Sequence, residues 1–198
     1  MTPDGPGRSR QAAARVASSP SPPGCGGTFS PSSAVPEAPT TIVLGLGNPV
    51  RYDDAVGLRV AEEVERLLAD QPVPGVRVLT STRAGFELID LLAGADHAII
   101  VDCLEVPGGV PGTVRQLTLE DVSGASRLVG QHDLTLADAF EFARVSGVSM
   151  PRTAEIYGIQ AADTLRIEEG LSPEVAATVP LLARAIHERL RHNPVSSP

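Results

Sequence analysis

The chain has 198 residues and a formal net charge of −8, and all sixteen of its basic residues are arginine. No basic cluster lies in the apolar-patterned part of the chain, so nothing is available to neutralise phosphates, which argues against nucleic acid as a partner. The only cysteines, Cys25 and Cys103, cannot build a disulfide framework or a thiolate metal cluster, and a reducing compartment fits that usage.

Residues 1–39 are rich in Pro, Ser, Gly and Ala and poor in large apolar side chains. Such a segment buries too little surface to offset its ordering entropy and is expected to be a disordered tail, as are residues 193–198. Residues 40–192 then form one domain, of a size that buries roughly 70% of the surface of its unfolded chain. The tail carries Arg8, Arg10 and Arg15 but lacks the apolar run of about 7–15 residues that a signal peptide needs, and no later run approaches a membrane span. The expected protein is cytoplasmic, with no membrane partner.

Short continuous apolar runs alternate along the chain with longer runs at helical spacing, which predicts a doubly wound α/β fold: three layers, α/β/α, around a mostly parallel twisted central sheet. Residues 41–46 read as the first strand. Val56, Val60, Val64, Leu67 and Leu68 recur at helical intervals, so a helix is expected from residue 55 to about residue 69. Pro72, Pro74 and Gly75 break the chain before a strand at 76–79, and residues 85–92 suit a second helix.

Residues 98–101 look like a central parallel strand, buried on both faces and ending in Asp102. A Pro/Gly cluster at 107–112 leads into a strand at 114–119, expected at or near a sheet edge. Leu136, Phe140 and Ala143 mark a third helix. Residues 154–159 make the last strand, and residues 173–191 a final helix with Val175, Val179, Leu182, Ile186 and Leu190 on its apolar face.

Open α/β sheets bind ligands outside the carboxyl ends of their strands, and two acidic positions fall on that edge. Asp53 and Asp54 lie between the first strand and the first helix, and Asp102 ends the third strand. Gly45 and Gly47 in the first loop raise the possibility of a dinucleotide site, but the fingerprint needs a third glycine where Val50 stands, and two carboxylates at a helix start would repel a pyrophosphate. Helix capping accounts for one member of the acidic pair and leaves the other for a ligand. Asp102 is open to two readings, a solvated strand end or a functional carboxylate.

His132 precedes the third helix. A lone loop histidine is usually a surface residue, but two carboxylates and an imidazole together make an oxygen and nitrogen set suited to nickel, zinc or another divalent transition metal. His97 is expected at the edge of the sheet opposite Asp102, and His97, His187 and His192 are read as structural or surface residues. Cys103 should point away from Asp102 by strand alternation, which disfavours a nucleophilic role. Neither a G-x-S-x-G elbow nor an HExxH helix is present.

The pattern Gly45-x-Gly47-Asn48-x-x-x-x-Asp53-Asp54-x-x-Gly57 resembles that of the hydrogenase maturation endopeptidases, which process the large subunit of nickel-iron hydrogenases. Thr82-Arg83-Ala84-Gly85-Phe86-Glu87-Leu88, Asp102, His132-Asp133-Leu134, Tyr157-Gly158-Ile159-Gln160 and Leu171-Ser172-Pro173-Glu174-Val175 follow in the family's order, so the resemblance covers nearly everything after residue 40. It implies that Asp54, Asp102 and His132 are the metal-contacting and catalytic set. The first of these is Glu in some members, and the shorter Asp54 should draw the metal nearer the backbone.

The implied activity is removal of a C-terminal extension from the large-subunit precursor after nickel insertion, by a monomer that engages this partner transiently. Either a metal polarises water and the scissile carbonyl, or it serves for recognition while a carboxylate acts as general base. A non-catalytic, nickel-sensing or chaperone-like module of the same fold is the alternative.

Overall fold

The computed structural model describes residues 40–83, 85–123 and 136–192, so the expectations for both tails and for His132 concern positions outside the described residues. Five strands, β1 (Thr41–Leu46), β2 (Val76–Ser81), β3 (His97–Leu104), β4 (Val114–Leu117) and β5 (Thr153–Gln160), form one sheet in the order β2-β1-β3-β5-β4. The β1–β2, β1–β3 and β3–β5 pairings are parallel, and β4 joins β5 antiparallel at the edge. Helices α1 (Val56–Asp70), α2 (Glu87–Leu92), α3 (Leu119–Ser123), α4 (Leu136–Ser146) and α5 (Pro173–His192) complete the described elements.

Two apolar clusters show how the sequence pattern builds the layers. On one face Val43, Ile99, Val101 and Cys103 pack with Val56, Val60 and Val64 of α1 and with Val175, Leu182, Ile186 and Leu190 of α5. On the other, Ile42, Leu44, Ala98, Ile100 and Ile156 pack with Leu88 and Leu92 of α2, Val122 of α3 and Leu136 of α4. Full burial of an aliphatic side chain of this size is worth roughly 1.5–3 kcal/mol, so the helical spacing read in α1 is the spacing that holds it to the sheet. β3 is buried along its whole length, as a central strand covered on both faces must be.

Several boundaries differ from those expected. The first helix is preceded by a 3-10 turn, Tyr52–Ala55, and starts one residue late. β2 runs on to Ser81, because its parallel register with β1 extends that far, and α2 begins at Glu87 rather than at Gly85. β4 stops at Leu117, and the two residues after it turn instead into the unanticipated helix α3, where the Asp121 carboxylate accepts hydrogen bonds from the backbone and hydroxyl of Thr118. β3 does not end at Asp102 but continues to Leu104, since Cys103 and Leu104 still pair with Ile159 and Gln160 of β5.

The strand order fixes where a site can form. From β1 the chain passes by α1 to β2 on one side and then by α2 to β3 on the other. The carboxyl ends of β1 and β3 therefore flank the point where the winding reverses, and the loops there diverge to leave a crevice.

Candidate active site

The loop leaving β1 is shaped by glycines that let backbones touch. A Cβ on Gly45 would lie 2.3 Å from the Gly57 carbonyl oxygen, and one on Gly57 would lie 2.2 and 2.4 Å from the carbonyl oxygens of Leu46 and Val101. These two positions lock the start of α1 against β1 and β3. Gly47 adopts φ of +149°, and a Cβ there would collide with the Asp54 carbonyl oxygen at 2.0 Å. That carbonyl accepts the Asn48 N–H at 3.2 Å, so the loop closes on itself and returns Asp53 and Asp54 to the strand ends.

Neither aspartate caps a helix: the 3-10 turn and α1 both lack a side-chain cap hydrogen bond. The capping expectation is corrected by the long-range bonds of Asp53. Its carboxylate, fully buried, accepts the backbone N–H groups of Ala162 (2.9 Å), Asp163 (3.0 Å) and Ser172 (2.6 Å) and the Ser172 hydroxyl (3.0 Å). The donors in the β5–α5 loop satisfy the charge better than a helix terminus would. Tyr52 N–H to the Arg166 carbonyl, the Arg166 guanidinium over the Tyr52 ring and an antiparallel bridge between Arg51 and Ile167 complete the clasp.

Asp54 is in the opposite condition. It is buried, and its Oδ1 has no hydrogen-bond partner. A desolvated carboxylate oxygen without a donor is costly unless something else supplies positive charge. Burial pushes the Asp54 pKa up to about 6; Arg51 and the Asn48 N–H pull it down, and the nearby Glu105 charge pushes it up.

Asp102 is also buried rather than solvated, which removes the strand-end reading. It follows Ile100 in the alternation of β3 and so points to the α2/α4 face, and its Oδ1 accepts the Cys103 N–H at 2.7 Å. Burial raises its pKa to about 8, with the Cys103 N–H lowering it and the Asp54 charge raising it further. The two carboxylates are thus electrostatic neighbours at the crevice, brought together from positions 48 residues apart.

Their condition fits a divalent cation. Both are short of compensating charge, and one has a bare oxygen, which is the donor chemistry of an oxygen-ligated metal site. Among the described residues, no three His, Cys, Asp or Glu side chains gather to hold a metal ion. His132, the third expected member, lies outside the described residues, four positions before Leu136 of α4, the helix on Asp102's side of the sheet.

The remaining candidates take structural places. His97 begins β3, with Nδ1 2.6 Å from the Thr153 hydroxyl and Nε2 3.2 Å from Glu155. A ring nitrogen of His187 lies 3.0 Å from the Gln71 carbonyl, and His192 is exposed at the end of α5. The Cys103 thiol sits in the α1/α5 cluster, where burial pushes its pKa far up, so it is not a nucleophile.

Three participants escaped the sequence reading. Ser172 anchors Asp53, although its motif had been recognised at the start of α5. Glu105 lies just past β3 and is hydrogen-bonded by the Thr164 hydroxyl. Gln160, buried at the end of β5, accepts the Val106 N–H at 3.1 Å and donates to the Val106 carbonyl at 3.3 Å, fixing the loop after β3.

Comparison with known proteins agrees with this architecture. The family described as HycI, hydrogenase maturation protease, matches residues 58–189. The hydrogenase 2 maturation protease of Escherichia coli (strain K12) is 31% identical over 159 residues, covering 79% of this chain and 93% of that protein. Among solved structures, the hydrogenase-maturating endopeptidase HybD from E. coli superposes with a TM-score of 0.65 at 26% identity, covering 78% of this chain and 93% of that one. The [NiFe] hydrogenase maturation protease HycI from Thermococcus kodakarensis KOD1 gives 0.61 at 26% identity, over 78% and 94%. The chain therefore belongs to the hydrogenase maturation proteases and is a peptidase.

Proposed function

We propose that this peptidase removes the C-terminal extension of a nickel-iron hydrogenase large-subunit precursor once nickel has been inserted, and that Asp54, Asp102 and His132 recognise the metal. The observation that carries the reading is the buried, unpartnered Asp54 Oδ1 together with the more strongly desolvated Asp102, whose pKa the Asp54 charge also raises. A site with uncompensated negative charge favours a cation carried in by the substrate, and makes the nickel-loaded precursor a better ligand than the empty one. The family order of the three residues supports counting the imidazole as the third contact.

A bound divalent ion polarises a water or carbonyl oxygen and brings the water's pKa toward about 7. Asp54 holds an unprotonated oxygen near neutral pH and is the residue that engages positive charge first. Asp102 keeps a proton to about pH 8 and can give it up or take it back in the physiological range, as a general acid or base must. The Asp53 clasp holds the neighbouring Asp54 in place, while burial keeps the Asp102 carboxyl out of water.

Incubation with the nickel-loaded and nickel-free large-subunit precursors of the same organism, followed by intact-mass measurement, tests the proposal. Loss of a short C-terminal peptide from the loaded precursor alone is the expected result. Binding of the loaded precursor without shortening would instead establish a nickel-sensing module.

A further inference from the structure

Asp54 and Asp102 belong to two separately bonded units. Asp54 lies in the first loop, which is stitched to the β5–α5 loop: Ala162 and Asp163 donate their N–H groups to the Asp53 carboxylate, the Asp53 N–H is donated to the Asp163 carbonyl at 3.2 Å, and the Tyr52 N–H to the Arg166 carbonyl at 3.1 Å. Asp102 lies near the end of β3, where the Leu104 carbonyl accepts the Ala161 N–H at 2.9 Å and the Gln160 side chain holds both the N–H and the carbonyl of Val106.

Glu105 sits between Leu104 and Val106, and its Oε1 accepts the Thr164 hydroxyl. Among the described residues, this is the side-chain hydrogen bond that joins residues 162–172 to residues 102–106. The pair is lopsided: Thr164 is 2% exposed, whereas Glu105 is exposed, where water can serve its carboxylate. The bond therefore matters chiefly for the buried hydroxyl and the loop that carries it, and an ionised acceptor makes it roughly twice as strong as a neutral pair. The Glu105 charge is felt at Asp54, so the bond lies close to the site.

We propose that Thr164 and Glu105 form a positioning latch for the peptidase reaction: their hydrogen bond fastens the unit that carries Asp54 to the end of β3 and so sets where Asp54 stands relative to Asp102. The inference rests on the processing reading given above, which makes those two carboxylates the working groups. Gly57 holds the helix side of the first loop against Val101 of β3, and Thr164 holds the other side through Asp163 and the Asp53 carboxylate. The latch acts through Asp54 and not on the substrate, so its loss should slow the chemical step without weakening precursor binding.

The test compares the full chain with Thr164→Val, Thr164→Ser, Glu105→Ala and the Thr164→Val/Glu105→Ala double variant. Intact-mass kinetics on the nickel-loaded precursor gives kcat and KM, and amide hydrogen exchange followed by NMR reads the Asp53 clasp with neither metal nor precursor present. Thr164→Val and Glu105→Ala should each lower kcat roughly tenfold with KM within about twofold, the double variant should fall no further, and Thr164→Ser should recover most of the rate. Exchange of the Ala162 and Asp163 N–H groups should quicken roughly tenfold in both single variants, while that of the Cys103 N–H in β3 stays unchanged.

Clasp exchange within about twofold of the unaltered protein in both single variants overturns the latch. Additive losses of kcat in the double variant overturn it as well, since two residues joined by one bond cannot lose it twice. A raised KM at unchanged kcat would make the pair a precursor contact and overturn the positioning role. Faster clasp exchange in a protein that shortens no precursor supports the latch while refuting the processing reading.

Discussion

Ser172 reaches across 119 residues of sequence to give both its backbone N–H and its hydroxyl to the Asp53 carboxylate, at 2.6 and 3.0 Å. Asp53→Ala would leave these donors and the N–H groups of Ala162 and Asp163 buried without an acceptor. Unmade bonds of this kind cost about 1–3 kcal/mol each and do not add fully, so a loss of about 3 kcal/mol is expected. Ser172→Ala removes the hydroxyl alone and should cost about 1 kcal/mol. Urea unfolding of both variants checks the ranking, and equal losses would contradict it.

Asp54→Asn should separate function from stability. The amide keeps the shape of the side chain but removes the charge, and processing of the loaded precursor should fall by roughly 100-fold or more. Stability at pH 8 should stay level or rise, because a desolvated carboxylate with a bare oxygen is replaced by a neutral group. Undiminished processing by this variant would remove Asp54 from the site.

The pH dependence of folding follows from the same pair. Asp54 and Asp102 titrate near 6 and 8 in the folded chain, against 3.8 for an ordinary aspartate. Between those limits the folded state holds more protons than the unfolded state, so the contribution of the pair to stability is greatest at the acid end and declines as pH rises to about 8. Above that both states carry both charges and the dependence vanishes. Urea unfolding of the unaltered protein and an Asp54→Asn/Asp102→Asn double variant at pH 5.5 and 8 isolates this term. The unaltered protein should lose stability relative to the double variant on going to pH 8, and a divalent cation added there should restore it only in the unaltered protein.

The contrast between Asp53 and Asp54 also marks how far the sequence can be read. Period and breakers exposed the strands and helices because each reflects local chain geometry and burial on one face, as with Val56, Val60 and Val64 of α1. The carboxyl-edge position of Asp54 and Asp102 was legible for the same reason. Two adjacent aspartates before a helix, however, look alike in sequence: local capping would satisfy either. Their roles are divided by donors from Ala162, Asp163 and Ser172, more than 100 residues away, and no periodicity encodes that pairing. The extension of β3 beyond Asp102 was hidden likewise, since the partners that prolong it, Ile159 and Gln160, belong to β5.

Gly57→Ala should be among the most damaging conservative changes outside the acidic residues. Its added Cβ meets two backbone carbonyl oxygens, of Leu46 and Val101, at 2.2 and 2.4 Å, and backbone cannot swing aside as a flexible side chain can. The start of α1 must lift from β1 and β3, which moves the loop that carries Asp54. Overpacking of this kind costs roughly 3 kcal/mol. A midpoint of urea unfolding unchanged from the unaltered chain would show that the helix approach is looser than the contacts indicate.

Arg51 and Glu105 act on Asp54 in opposite directions, and their removal offers a signed test of the site's electrostatics. Burial is the largest influence on Asp54 and raises its pKa; the Arg51 charge opposes it, and the Glu105 charge reinforces it. Glu105→Gln keeps an oxygen for the Thr164 hydroxyl while deleting the charge, and should lower the Asp54 midpoint. Arg51→Gln should raise it. Carbon-13 NMR titration of the aspartate carboxyls, with the Asp54 signal assigned by its absence in Asp54→Asn, reads both shifts directly. Opposite displacements would establish that the two charges bracket the bare carboxylate, and displacement in the same direction by both variants would refute that placement.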